Sequence, residues 1–288
     1  MNTATEVLGF EQSAQSLGDG PVRFNGHALY TETVVEKEGY WRTQYLDRWT
    51  ESVDGDAIWY FPKTRKDISI VLNQMRNPRP LYAHRVNGVR LPEMEEEYGF
   101  DLEVGDLVAP HGGGEQADLI FKVTGELNDE TNEYDVVMTI SFPNEGDGIL
   151  PVSPTLLGES QLLLGQEAPE EGYQPTFELH QSVKSGVWFL NRKTSPTDDE
   201  GKRLEGFWFR THTELDPETG EVIRARHGKI YANRNRVIPT GFSLDAPRPK
   251  MGWETEFTYF YAPDHTRSLE SNGETLVPYG NLGGVDKR

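Results

Sequence analysis

The sequence predicts an all-β protein, a two-sheet antiparallel β-sandwich or jelly roll of about a dozen strands with little helix. Three observations lead there. Apolar and polar residues alternate at period two along many short segments, and Gly, Pro, Asn and Asp clusters separate them. Two pairs of such segments flank five-residue polar loops, the arrangement of hairpins. Rings are abundant, with 6 Trp, 12 Tyr and 13 Phe among 288 residues. In β-sandwiches rings dominate burial.

In chain order the alternation predicts strands over 22–35, 40–47, 57–61, 81–91, 117–126, 134–142, 176–180, 186–190, 205–215, 221–232, 236–244 and 254–261. The two firmest hairpins are 117–127 with 134–142, closed by Asn128 to Asn132, and 206–215 with 221–232, closed by Asp216-Pro217-Glu218-Thr219-Gly220. Asp67 to Met75 reads as a short helix or a strand. Pro92 to Tyr98 and 156–164 read as a helical turn or two. Gly, Pro and acidic residues accumulate over 144–172. We read one sandwich spanning 1–288 with a long crossover there; the alternative is two small β domains, 1–150 and 173–288. After Asp264 the alternation fades into a closing strap or frayed end.

Composition bounds the class. A formal charge of -19 repels phosphate chains, so nucleic acid is not an expected partner. With no cysteine, disulfides, thiolate metal sites and cysteine nucleophiles are excluded. No apolar run approaches the roughly 18 residues of a membrane span, and the first residues show neither a basic nor an apolar signal region. Cysteine-free β character leans toward a secreted or periplasmic mature form, with a cytoplasmic protein as the alternative.

Motif tests are mostly negative. His111-Gly112-Gly113-Gly114 matches the oxyanion-hole sequence of lipase-like hydrolases, but Gly158-Glu159-Ser160-Gln161-Leu162 lacks the final glycine of their nucleophile turn, so a plain glycine-rich β-loop is expected. Leu215 to Gly220 is similar to a sortase signal with an inserted Asp216, and reads as a turn started by Pro217. Arg42-Thr43-Gln44 resembles, over three residues, the Arg-Thr-Glu strand motif of jelly-roll alginate lyases. There the acid is replaced by Gln44, the second arginine stands at Arg48, and His227-Gly228-Lys229-Ile230-Tyr231 does not reproduce their Lys-Ala-Gly-x-Tyr pattern, so no family is assigned. No cofactor is expected. The loops Asp54-Gly55-Asp56, Asn144 to Asp147 and Asp198 to Gly201 are oxygen-rich candidates for a structural calcium, and equally ordinary acidic turns.

The charge map is more informative than the total. Residues 1–180 hold 12 Lys+Arg against 32 Asp+Glu, 181–250 hold 13 against 9, and 251–288 hold 3 against 6. A cationic stretch of +4 therefore lies inside an acidic chain. Pairing Leu215 with Glu221 sets Arg210 opposite Arg226 and His212 opposite Arg224. One face then carries Trp208, Arg210, His212, Glu214, Arg224 and Arg226, and Ile223 points to the core side. Like charges directly opposed are costly and suggest an anionic ligand between them.

These residues support a binding surface for an acidic polysaccharide. Trp208 would stack on a sugar ring, and Arg210, Arg224, Arg226 and Lys229 would bind uronate or sulfate groups. As an enzyme it would be a polysaccharide lyase working by β-elimination. Arg210 or Arg226 would neutralise the uronate carboxylate, His212 or His227 would remove the adjacent proton, and Tyr231 would protonate the leaving oxygen. A bulge at Gly228 would bring Lys229 and Tyr231 to the arginine face. Two other readings use the same residues as structure: a non-enzymatic structural or adhesive surface or virion protein whose arginines form salt bridges, and a carrier of an apolar small molecule. A glycan site requires Trp208, Arg210 and Arg226 to be open to solvent.

Overall fold

The computed structural model describes residues 2–7, 10–15, 30–48, 50–53, 56–59, 72–128, 133–152, 159–160, 164–183, 204, 206–231, 243–248, 252–280 and 282. The expected strand 186–190, and parts of those over 22–35 and 236–244, lie outside them. Along the chain the strands begin with β1 (Asn2–Val7), β2 (Phe10–Gln15), β3 (Tyr30–Glu36), β4 (Thr43–Arg48), β5 (Thr50–Val53) and β6 (Asp56–Trp59). There follow β7 (Arg79–Leu91), β8 (Glu97–Asp101), β9 (Asp106–Leu107), β10 (Leu119–Asn128), β11 (Glu133–Ser141), β12 (Gly148–Val152) and β13 (Glu159–Ser160). The last are β14 (Thr176–Val183), β15 (Gly206–Leu215), β16 (Val222–Tyr231), β17 (Ser243–Arg248), β18 (Gly252–Tyr261) and β19 (Ser271–Thr275).

The chain forms two compact units, one of residues 1–76 with 155–163, the other of 77–154 with 164–288. In the first, a five-stranded sheet runs β13-β4-β3-β1-β2, and β5 pairs with β6. Trp41 and Thr43 are buried there.

The second unit holds twelve strands in two sheets. One is antiparallel, ordered β14-β11-β10-β8-β9; the other is ordered β12-β15-β16-β18-β7-β19, with β17 also on β18. The second sheet is mixed, because β19 runs parallel to β7. The described residues contain no helix. The expected turn over Pro92 to Tyr98 is instead a bend leading into β8, where Tyr98 is buried and its hydroxyl accepts the Glu93 N–H at 2.8 Å. The chain beyond Asp264 also does more than fray, since it supplies β19.

Alternation explains the first sheet directly. Leu119, Phe121 and Val123 of β10 and Val136, Met138 and Ile140 of β11 are buried at every second position, in a register that pairs Phe121 with Ile140 and Val123 with Met138. Their face meets the inner face of the mixed sheet through ring contacts. Phe257 lies 5.2 Å from Phe100 and 5.7 Å from Phe121, Trp253 lies 5.3 Å from Tyr134, and Phe207 lies 4.7 Å from Phe177. This is a β-sandwich core.

The mixed sheet departs from alternation. Phe207, Trp208 and Phe209 are all buried, as are Tyr259, Phe260, Tyr261 and Ala262. Its outer face is covered by the segment 164–174. The Gln174 and Ile149 backbones bond to each other, Ala168 N–H donates to Arg267 O, and Leu269 N–H donates to Gln166 O. Lys229, also buried, donates to Gly165 O at 3.1 Å and sits over the Trp208 and Phe260 rings.

Candidate functional site

The hairpin β15–β16 forms, but in a different register from the one expected. Arg210 pairs with His227, Thr211 with Arg226, Glu214 with Arg224 and Leu215 with Val222. The offset of one residue is set at the turn, where Leu215 faces Val222 rather than Glu221; further along, β15 carries one extra residue in a bulge over His212 and Thr213, matched by one on β16 at Ile223. His212 adopts φ 51°, a left-handed conformation unusual for histidine. Asp147 holds this bulge: its Oδ1 accepts the Thr213 N–H at 2.8 Å, and its Oδ2 accepts from Asn144 at 2.9 Å. Of the three acidic loops considered for calcium, that of Asn144 to Asp147 thus has its Asp147 carboxylate engaged by the bulge. The opposed arginines are gone, because Arg224 meets Glu214 at 2.6 Å and Arg210 meets an imidazole.

No bulge lies at Gly228. That glycine is required because the Phe209 ring lies on it; a Cβ would come within 2.1 Å of Phe209 Cζ. Lys229 and Tyr231 therefore stay on the outer face with Trp208, Arg210 and His227, while Arg224, Arg226 and Thr211 face the other way. Trp208 is only 5 % exposed, so it is not a platform for a sugar. Tyr231 is buried opposite Gly206, six residues of strand from His212, roughly 20 Å at ~3.3 Å per residue. His227 is 7 % exposed and burial lowers its pKa to about 4, with Arg210, Arg267 and His265 adding to the effect; it is neutral at pH 7. Ile223 is exposed rather than part of the core.

What the structure does assemble lies on the Arg226 side. His212 Nε2 lies 2.6 Å from Asp118 Oδ1. Asp118 is buried at the entry to β10, and its Oδ2 accepts the Leu102 N–H at 2.8 Å. Because a carboxylate only accepts, this contact places a proton on Nε2 of His212 and leaves Nδ1 with its lone pair. The His212 side chain is 28 % exposed, and among the described residues Nδ1 makes no hydrogen bond. The hydrogen bond to Asp118 raises the His212 pKa above the ordinary value, against a smaller opposing effect of burial.

Arg226 and Tyr261 lie near this pair, Thr211 precedes His212 in β15, and Glu103 and Tyr82 are joined to the group through Arg226. Arg226 is bonded to Glu103, donates to Ala262 O at 3.0 and 3.2 Å, and lies 4.2 Å from the Tyr261 ring centroid. Thr211 and Tyr261 share a hydrogen bond of 2.7 Å. Burial, and then a hydrogen bond to Glu103, raise the Tyr82 pKa. Arg226 is thus fully committed to the protein. Arg224, two residues on along the same face of β16, is 57 % exposed and tied among the described residues only to the exposed Glu214.

No family model, curated protein or solved structure matches the chain. Its chemistry is therefore argued from these residues alone. Among the described residues no group of three or more His, Asp or Glu is placed to hold a metal ion, and no helix is long and apolar enough to cross a membrane.

The glycine loop is accounted for by the chain's own carboxylates. Asp106 Oδ2 accepts the Gly113 N–H at 2.8 Å, and a Cβ on Gly112 would meet Leu107 O at 2.3 Å. Buried Asp101 accepts four N–H groups, from Glu103, Val104, Glu115 and Gln116. The loop's donors are thus aimed at structure. Asp216 likewise accepts from Glu218 and Thr219, and Gly220 closes the turn at φ 70°.

His212 and Arg226 were visible as candidates in the sequence; Asp118, Glu103, Tyr82 and Tyr261 were not. The one available signal was Asp118 itself, a lone acid immediately before the apolar run Leu119-Ile120-Phe121.

Proposed function

We propose that this protein acts on an acidic polysaccharide by β-elimination, with His212 as the proton-transferring group and Asp118 as its positioning residue. The observation behind this reading is the Asp118–His212 pair: a histidine held at a strained bulge, oriented by a buried carboxylate, with its side chain partly exposed and its second nitrogen unbonded among the described residues. That is the base-and-orienter geometry acid–base catalysis requires. Nδ1 would take the proton adjacent to the uronate carboxylate. Arg224, able to exchange Glu214 for a uronate, would draw charge from that carboxylate; Arg226 would hold Glu103 and Tyr82 in place. The Tyr82 phenol, kept protonated at neutral pH, would serve the leaving oxygen in the role first sought at Tyr231. The substrate class follows from the cationic stretch within an acidic chain, and an exported location accords with such a substrate.

Unsaturated uronates absorb near 235 nm. The proposal predicts growth of that absorbance on at least one of alginate, pectin, ulvan or a glycosaminoglycan, and a loss of about 100-fold or more in His212→Ala. Silence across the panel, or full activity in His212→Ala, contradicts it.

A second reading, a non-enzymatic assembly or adhesive protein, is favoured by the exposed Val222 and Ile223 near the tip of the β15–β16 hairpin. It predicts concentration-dependent oligomers in light scattering that Ile223→Ser weakens.

A further inference from the structure

On the outer face of the mixed sheet, basic side chains gather around Tyr173. The Arg210 guanidinium lies 4.9 Å from the Tyr173 ring centroid, and the His227 ring centroid lies 6.3 Å from it. Arg267 donates to Ala168 O at 3.2 Å. Glu170 joins the two arginines. Its backbone carbonyl accepts from Arg210 Nη1 at 3.3 Å, and its carboxylate lies 3.0 Å from Arg267 Nη2. Glu167 reaches the same Arg267 nitrogen at 2.9 Å. Beneath them His227 is nine-tenths buried, and among the described residues its Nδ1 makes no hydrogen bond.

We propose that Arg210, Arg267 and His227 form a binding site for a doubly charged tetrahedral oxyanion, a sulfate or phosphate group, which takes the place now filled by the Glu170 carboxylate. Arg210 donates to the Gly146 and Glu170 backbone carbonyls, while Arg267 is held by the exposed, singly charged carboxylates of Glu167 and Glu170; a dianion in place of the Glu170 carboxylate gives both guanidinium groups charge-assisted hydrogen bonds, and the exposed ion pair given up at Arg267 is weak. The buried Nδ1 supplies the third donor. A neutral imidazole carrying its proton there donates to the anion and satisfies a polar atom otherwise left unbonded. The site lies on the opposite sheet face from His212, so it stands or falls independently of the elimination chemistry.

The test is calorimetric titration of the full chain at pH 7 with sodium sulfate, sodium phosphate, and a sulfated disaccharide beside its unsulfated counterpart, with sodium chloride at matched ionic strength as the control. Saturable binding of sulfate or phosphate is expected. Glu170→Gln should tighten it about threefold to fivefold, Arg267→Gln should weaken it at least tenfold, and Arg90→Gln, an exposed arginine elsewhere, should leave it unchanged. Tighter binding of the sulfated disaccharide than of inorganic sulfate would assign the anion to a glycan ester, and the reverse to a free ion. Heats equal to those of chloride, or affinity unaltered in both Glu170→Gln and Arg267→Gln, would overturn the proposal. Both substitutions lie at partly or fully exposed side chains, and circular dichroism checks that each variant is folded.

Discussion

Acidification should destabilise the sandwich through a single histidine. In the folded chain the His227 pKa falls from 6.5 to about 4, because its burial disfavours the imidazolium and Arg210, Arg267 and His265 repel it. Between those two values the unfolded chain binds a proton that the folded chain does not. Stability is therefore full above about pH 6.5, declines as the pH falls to about 4, and loses nothing further from this group below that. A shift of about 2.5 units at ~1.36 kcal/mol each amounts to about 3 kcal/mol. In His227→Phe the term vanishes, and replacing an unbonded buried nitrogen with carbon costs little at pH 7. The assay is guanidinium unfolding followed by near-ultraviolet circular dichroism, from pH 7.5 to 3.5 in chloride buffers, for the wild type and His227→Phe. The many carboxylates titrate alike in both, so the difference between the two curves isolates His227. It should grow by about 3 kcal/mol in favour of the variant between pH 7 and pH 4. Parallel curves would refute the reasoning.

Other outcomes follow from the same structure. Asp118→Asn should lower the His212 pKa, read by NMR titration, and reduce activity on any responsive polysaccharide by at least tenfold, with circular dichroism unchanged. Asp101→Ala orphans four N–H groups of the 103–116 loop and should cost about 3 kcal/mol or more in chemical denaturation. Phe257→Ala empties the meeting point of the two sheets and should cost about 3–5 kcal/mol by the same measurement.

The fold was legible where one face of a strand is wet. Around Phe121 and Met138 the period-two pattern gave both strands and hairpin. It misled where both faces are buried: the unbroken run Phe207-Trp208-Phe209 states that β15 is covered on both sides, and Trp208 inherits that burial. The covering segment, 164–174, has no pattern of its own, so the sequence read it as part of a crossover. The candidate site was half legible. His212, Arg224 and Arg226 were found from charge, but the register was set by a turn one residue longer than expected, with Leu215 facing Val222, and the left-handed backbone that aims His212 leaves no compositional trace. Asp118 and Glu103 come from the other sheet and its loop, and only the tertiary fold brings them to the hairpin.

The central claim is that His212 faces its substrate as a proton-transferring group oriented by Asp118. Nitrogen-15 NMR of the imidazole, recorded across pH and with an added oligouronate, tests it most directly. The account predicts the Nε2–H tautomer, a pKa above the ordinary histidine value, and a change at Nδ1 on adding the oligosaccharide. An Nδ1–H tautomer, or a His212 resonance indifferent to every acidic oligosaccharide, would contradict it.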